Sequence, residues 1–168
     1  GQIGGIYWTP FTDWARDPER TVDAAPEYKY KDIYLYANGK PQELDGAYAV
    51  DPTHPAVEAM MKKTSGLFHR AGFEYVKMDF MTHGAMEADR WYNPEIKTGI
   101  QGYNYGMKLL NQYFGDMYIN LSISPVFPAQ YAQSRRIACD AWNQIKDTEY
   151  TLNALSYGWW QKYIYQYN

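Results

Sequence analysis

The sequence predicts an α/β fold assembled from successive parallel βα units. Two observations carry this. An amphipathic helical stretch, 53–72, and a second helical stretch, 100–114, each run through a glycine stop into a short apolar strand, 73–80 and 117–126. A third strand-like run, SRRIACDAW (134–142), then leads into another helical stretch, 148–163. Parallel strands need a crossover, usually a helix, so this alternation favours a parallel sheet over hairpins. No internal repeat, low-complexity tract or linker divides the chain, so residues 1–168 are expected to form one domain.

Each element has a local reason. IGGIYW (3–8) is short, apolar and β-rich, and Pro10 ends it. Residues 12–31 are polar and carry Pro18 and Pro26, which reads as an excursion over the surface. DIYLYA (32–37) reads as a short strand and Asn38–Gly39 as a turn. GAYAV (46–50) fits either a strand end or an extended approach to the next helix. That helix has Thr53 as its expected cap, Pro55 in its first turn and Gly72 as its stop. Val57, Met60, Met61, Leu67, Phe68 and Ala71 share one helical face, which fits a helix covering a sheet. Strand 73–80 follows at once. Residues 81–99 are a polar loop, IQGYNYGMKLLNQYF is a second helix stopped by Gly115, and MYINLSISPV is a strand ending at Pro125.

Composition removes several function classes. The 168 residues carry a net charge of −3, with no basic block to attract nucleic acid. No apolar run approaches the roughly 20 residues that span a bilayer, so no membrane partner is expected. The opening GQIGGIYWTPF has no basic leader and reads directly as strand. One cysteine, Cys139, excludes an internal disulfide framework. The 18 tyrosines and 6 tryptophans are a heavy aromatic load, suited to core packing and to stacking on sugar rings alike.

The chemistry is concentrated at strand ends. In FEYVKMDF, Lys77 and Asp79 interrupt the apolar run Val76, Met78, Phe80, although charged side chains are rarely buried unless paired or used. Side chains alternate across a strand, so one face would point into a barrel mouth and the other into the helix layer. Asp79 and Asp140 both fall at the carboxyl ends of predicted strands, where parallel α/β folds build their sites. One complete βα unit and a further strand lie between them, so they are expected on one rim, two strands apart, across a common cleft. Two carboxylates across a cleft are the minimal machinery of glycoside hydrolysis. The same residues also fit a structural Lys–Asp pair closing a barrel end.

Four segments resemble, in order, strands of the α-galactosidases of glycoside hydrolase families 27 and 36. YVKMDF is similar to the K-x-D segment of their fourth strand, and Arg136-Ile-Ala-Cys-Asp140 to the R-x-x-x-D segment of their sixth. GGIYW resembles their third strand, and SISP (122–125) falls where the fifth strand enters the loop that reads the sugar 2-substituent. The resemblance covers essentially the whole chain and implies a partial (β/α)8 TIM-type barrel, strands three to six. It implies a retaining hydrolase of terminal α-galactosyl or related linkages, with Asp79 as nucleophile and Asp140 as acid/base. It implies sugar binding by Tyr7, Lys77, Ser122, Ser124 and Arg136, no metal or organic cofactor, and an extracellular or periplasmic setting. Lys77 would favour the charged carboxylate a nucleophile requires. The family's Cys-x-Trp-Pro-type loop is replaced here by Ser122-Ile123-Ser124-Pro125, and no Asp follows Tyr7 directly. The family's second-strand acidic pair has no counterpart.

Further residues join the expected site on their own chemistry. Trp8 and Trp142 flank the cleft and fit stacking on a sugar and plain packing equally. Asp13 and Trp14 border it on the loop after the first strand. Arg135 reads as a solvated neighbour of Arg136, and Cys139 as a small buried residue. His54, His69 and His83 lack metal-ligand spacing and read as surface or loop residues, with His83 bordering the site. Two other functions fit the same rim: a non-catalytic carbohydrate-binding piece, and a different barrel enzyme using Lys77 and Asp79 for proton transfer. A closed barrel usually takes ~250 residues. The chain therefore reads as about half a barrel that ends with no strand after its last helix. On that reading it is inactive alone and prone to self-association through open edges.

Overall fold

The computed structural model describes residues 1–127, 129–136, 140, 142–156 and 165–166. In chain order, strand β1 (Gly5–Trp8) leads into a long excursion. The excursion contains β2 (Thr12–Asp13), the one-turn helix α1 (Tyr30–Ile33), β3 (Tyr36–Ala37), β4 (Lys40–Pro41), β5 (Glu43–Leu44) and β6 (Ala47–Ala49). Helix α2 (Pro55–Arg70) returns the chain to β7 (Tyr75–Met78), followed by a 3-10 turn at Met81–Ala85. Then come α3 (Gly99–Phe114), β8 (Tyr118–Leu121), β9 (Ser134–Arg136), α4 (Ile145–Ser156) and β10 (Tyr165–Gln166).

The main sheet has the order β1-β7-β8-β9-β10, and every neighbouring pair is parallel. With α2 and α3 as crossovers packed on each other, this is a partial (β/α) barrel wall: the alternation predicted the parallel sheet and the resemblance implied the barrel. Register follows from the period of two. Ile6, Val76 and Ile119 form one cross-strand row, and Trp8, Met78 and Leu121 another. Both rows belong to the core shared with Val57 and Met61 of α2 and Met107, Leu110 and Phe114 of α3. Ile6 and Trp8 are partly buried at its margin; each fully buried aliphatic or aromatic side chain contributes about 1.5–3 kcal/mol, which holds the helices on that face. The opposite face carries Tyr7, Lys77, Asn120 and Ser134 in register.

Several expectations need correction. The cap of α2 is His54, whose Nδ1 accepts from the Ala56 N–H at 3.1 Å, whereas Thr53 donates to Asp51. Leu67 is exposed rather than on the apolar face. The DIYLYA segment is not one strand: α1 takes its beginning and β3 its end. Residues 12–31 are more than a surface strap, because Val22, Ala25 and Tyr30 enter the main core. GAYAV resolves as β6, the centre of an antiparallel β2-β6-β5 sheet. Asn38–Gly39 turns as expected, joining β3 to β4 with both residues at positive φ. A strand does follow the last helix: β10 pairs with β9, against the expected abrupt ending. That helix starts earlier than expected, at Ile145, and its expected end at 157–163 lies outside the described residues.

Candidate active site

The side chains facing away from the helices build the site. Along β7, Val76 and Met78 are buried while Lys77 points to the opposite face, and Asp79 continues that face just past the strand end. The chain then turns sharply, since Phe80 adopts a left-handed conformation (φ 54°, ψ 37°). A bulky residue rarely accepts that geometry, and such strain gathers at functional positions. The turn brings the Phe80 N–H to Asp79 Oδ1 at 2.8 Å, and Lys77 Nζ lies 3.7 Å from Asp79 Oδ2. Asp79 is thus buried, with one oxygen held by backbone and the other facing a cation.

Tyr7, beside Lys77 across β1 and β7, adds a third group. Burial, followed by the charge of Asp79 and a hydrogen bond to it, pushes the Tyr7 hydroxyl up to about 12. It is therefore a neutral donor to the carboxylate at ordinary pH. Ser122 follows β8 at the level of Asp79, its N–H donating to Met78 O at 2.9 Å. The hydroxyls of Ser122 and Ser124 are buried with no partner among the described residues, as is Arg136 Nε. On β9, two places along from β7, Arg136 reaches Asp140 at 2.5 Å. Asp140 itself is exposed. In the chain, Asp79 follows β7 and Asp140 follows β9, two strands of one parallel sheet.

Not every expected residue joins this face. Trp8 lines no sugar cleft: it stacks on Phe114 at 5.7 Å and meets Phe68 edge-on, inside the helix-side core. The reason is parity, because adjacent residues of a strand face opposite ways and Tyr7 holds the inner one. Trp142 is 71% exposed, just beyond Asp140. Asp13 is a buried hub instead of a rim group, accepting from Arg20, from the Tyr34 hydroxyl at 2.5 Å and from the Ala15 N–H. Arg135 is not solvated, since it donates to the carbonyls of Pro125 and Ser124 at 2.7 and 2.9 Å and so braces the Ser122–Pro125 loop. Cys139 lies outside the described residues.

The histidines divide three ways. His69 is on the exposed side of α2 near Tyr113 O, as expected of a surface residue. His54 is buried as a helix cap between the rings of Tyr28 and Tyr92. His83 is wholly buried, its ring nitrogens 2.9 Å from Phe80 O and 2.8 Å from Leu44 O. It pins the turn carrying Asp79 to the β5–β6 hairpin. Asn120, which the sequence reading passed over, is the register partner of Lys77 and donates to Ser134 Oγ at 2.9 Å. Its place two residues before Ser122 was the available signal. Among the described residues, no three His, Cys, Asp or Glu side chains are grouped to hold a metal, and no helix is long and apolar enough to cross a membrane. A cavity of about 870 Å³ lies at the opposite end of the strands, where Tyr75 stacks on Tyr118. It is remote from these carboxylates.

The fold is that of glycoside hydrolase barrels. Among solved structures, the chain is similar to an α-galactosidase from Thermus thermophilus in complex with stachyose (TM-score 0.63, 20% identity, 89% of this chain and 32% of that one). It is also similar to the glycoside hydrolase domain of PelA from Pseudomonas aeruginosa (TM-score 0.61, 11% identity, 98% and 66%). A third likeness is the family 36 α-galactosidase AgaB from Geobacillus stearothermophilus (TM-score 0.59, 16% identity, 96% and 22%). The chain spans about a third of the length of the Thermus enzyme. No protein-family model and no curated protein matches the sequence.

Proposed function

We propose that this chain carries the catalytic wall of a retaining glycoside hydrolase acting on terminal α-galactosyl or related α-glycosyl linkages. The observation supporting it most directly is the setting of Asp79: buried past the end of a parallel strand, facing Lys77 and receiving the Tyr7 hydroxyl. In the first step an Asp79 oxygen bonds to the anomeric carbon as the glycosidic C–O bond breaks, and Asp140 gives its proton to the leaving oxygen. In the second, Asp140 takes a proton from water as that water's oxygen displaces Asp79. Lys77 and Arg136 supply donors for sugar hydroxyls, with Arg136 also positioning Asp140. Whatever wall completes the barrel contributes the rest of the pocket, so the 168-residue chain alone turns over little or nothing.

The test is covalent trapping in the complete protein that carries this wall. A mechanism-based fluoroglycoside of α-galactose should label a peptide containing Asp79, and Asp79→Asn should abolish both labelling and turnover with an unchanged melting temperature. Asp140→Ala should lose most activity on substrates with poor leaving groups, and azide should restore turnover by attacking the glycosyl-enzyme. Labelling at another residue, or ordinary activity in both variants, sinks the assignment.

A further inference from the structure

We propose that the exposed indole of Trp14 is a stacking platform for a pyranose ring bordering Asp79; this rests on the glycan reading above and names a contact it lacks. Trp14 follows β2 and is 45% exposed, yet its ring is fixed. Nε1 donates to Thr9 Oγ1 at 3.2 Å, and the ring meets Phe80 edge-on with centroids 4.7 Å apart. The preceding residue, Asp13, is anchored by Arg20, Tyr34 and Ala15. The indole therefore presents a surface whose ordering cost is met before any ligand arrives, the condition under which contact area becomes affinity.

Position gives that surface its meaning. Phe80 is the residue after Asp79, and its N–H holds Asp79 Oδ1, so indole and carboxylate lean on one strained turn. The other described tryptophans are placed differently. Trp8 is stacked inside the core, Trp91 is buried in a separate small cluster, and Trp142 lies on the far strand's loop. The face of an indole is electron-rich. One face of a galactose-type pyranose presents C–H groups with no hydroxyl, and those weakly positive hydrogens complement the ring. The class of ligand is thus a glycan with a pyranose at or next to the cleaved residue.

The experiment is calorimetric titration of the complete protein that carries this wall, and of its Asp79→Asn, Trp14→Ala and Trp14→Phe variants, with raffinose, a galactosyl trisaccharide. Trp14→Ala should raise Kd about two- to tenfold, with Trp14→Phe recovering part of the loss. Asp79→Asn should still bind. Should Trp14→Ala fail to fold, the indole Nε1–H resonance of Trp14 in the unmutated chain should shift on adding raffinose. An unchanged Kd in Trp14→Ala, an unmoved Trp14 resonance, or no raffinose binding by the wild type overturns the platform. Trp14-dependent binding without release of galactose sinks the hydrolase reading and supports the platform.

Discussion

At the scale of single residues, the strand end at 75–80 carries most of the proposed chemistry. Lys77 sits 3.7 Å from Asp79 and remains partly open to solvent, so it can donate to a sugar hydroxyl as well as face the carboxylate. Charge-assisted hydrogen bonds are worth about 1.5–3 kcal/mol, so Lys77→Met should weaken sugar binding by roughly ten- to a hundredfold as well as slow turnover. An unchanged Kd and kcat would make Lys77 structural. His54 has a different signature. Burial holds it below its ordinary value of 6.5, against a smaller opposing pull from Asp51 and Asp32. A His depressed on folding binds protons more readily when unfolded, so its contribution is present above 6.5 and is lost as pH falls through the folded value. Protonation also removes the lone pair that caps α2. Thermal stability should therefore drop below about pH 6.5, and His54→Asn, which keeps a capping oxygen, should flatten that slope. Equal slopes in both proteins would exclude His54 as the cause. Lys77 and Asp79 were legible because charge inside an apolar alternation is conspicuous. Asp13 was not, because its partners Arg20 and Tyr34 reach it only through the fold.

Among elements, the helices and inner strands follow from period alone, whereas the excursion between β1 and α2 does not. The Asp45–Gly46 pair, both at positive φ, is a hairpin signal within ELDGAY and marks the β5–β6 turn. The pairing of Thr12 with Ala49 has no such local mark, and neither has the single turn of α1 inside a stretch rich in strand formers. Tertiary contacts decide both. The seating of α3 is more sharply determined. Its first residue is Gly99, where an added Cβ would stand 2.1 Å from the Ala85 carbonyl oxygen at the end of the 3-10 turn. That obstacle is backbone and cannot rotate away. Gly99→Ala should destabilise the protein by about 1–3 kcal/mol, the usual cost of overpacking, read as a lower urea midpoint with unchanged slope. A midpoint within error of the wild type would show that α3 can slide. Because the same turn carries His83 and follows Asp79, the variant should also lower kcat.

For the whole molecule, the open flank of the sheet matters most. Among the described residues, β1 pairs only with β7, and the concave face leaves Ile3, Tyr7 and Tyr118 exposed. Edges and apolar faces of this kind pair with whatever strand is available. The 168-residue chain should therefore show concentration-dependent association in sedimentation, and Ile3→Lys with Tyr118→Lys should shift it toward monomer. A monomer at every concentration reached would contradict the open-flank reading. The flank also bears on catalysis. Tyr7, half exposed, sits on that outermost strand, and burial is already the largest cause of the upward shift of its hydroxyl. Any strand that zips onto β1 dehydrates Tyr7 further and tightens its grip on Asp79. On the role proposed for Asp79, completing the barrel and fixing that carboxylate in place would then be one event, with a single tyrosine as the latch.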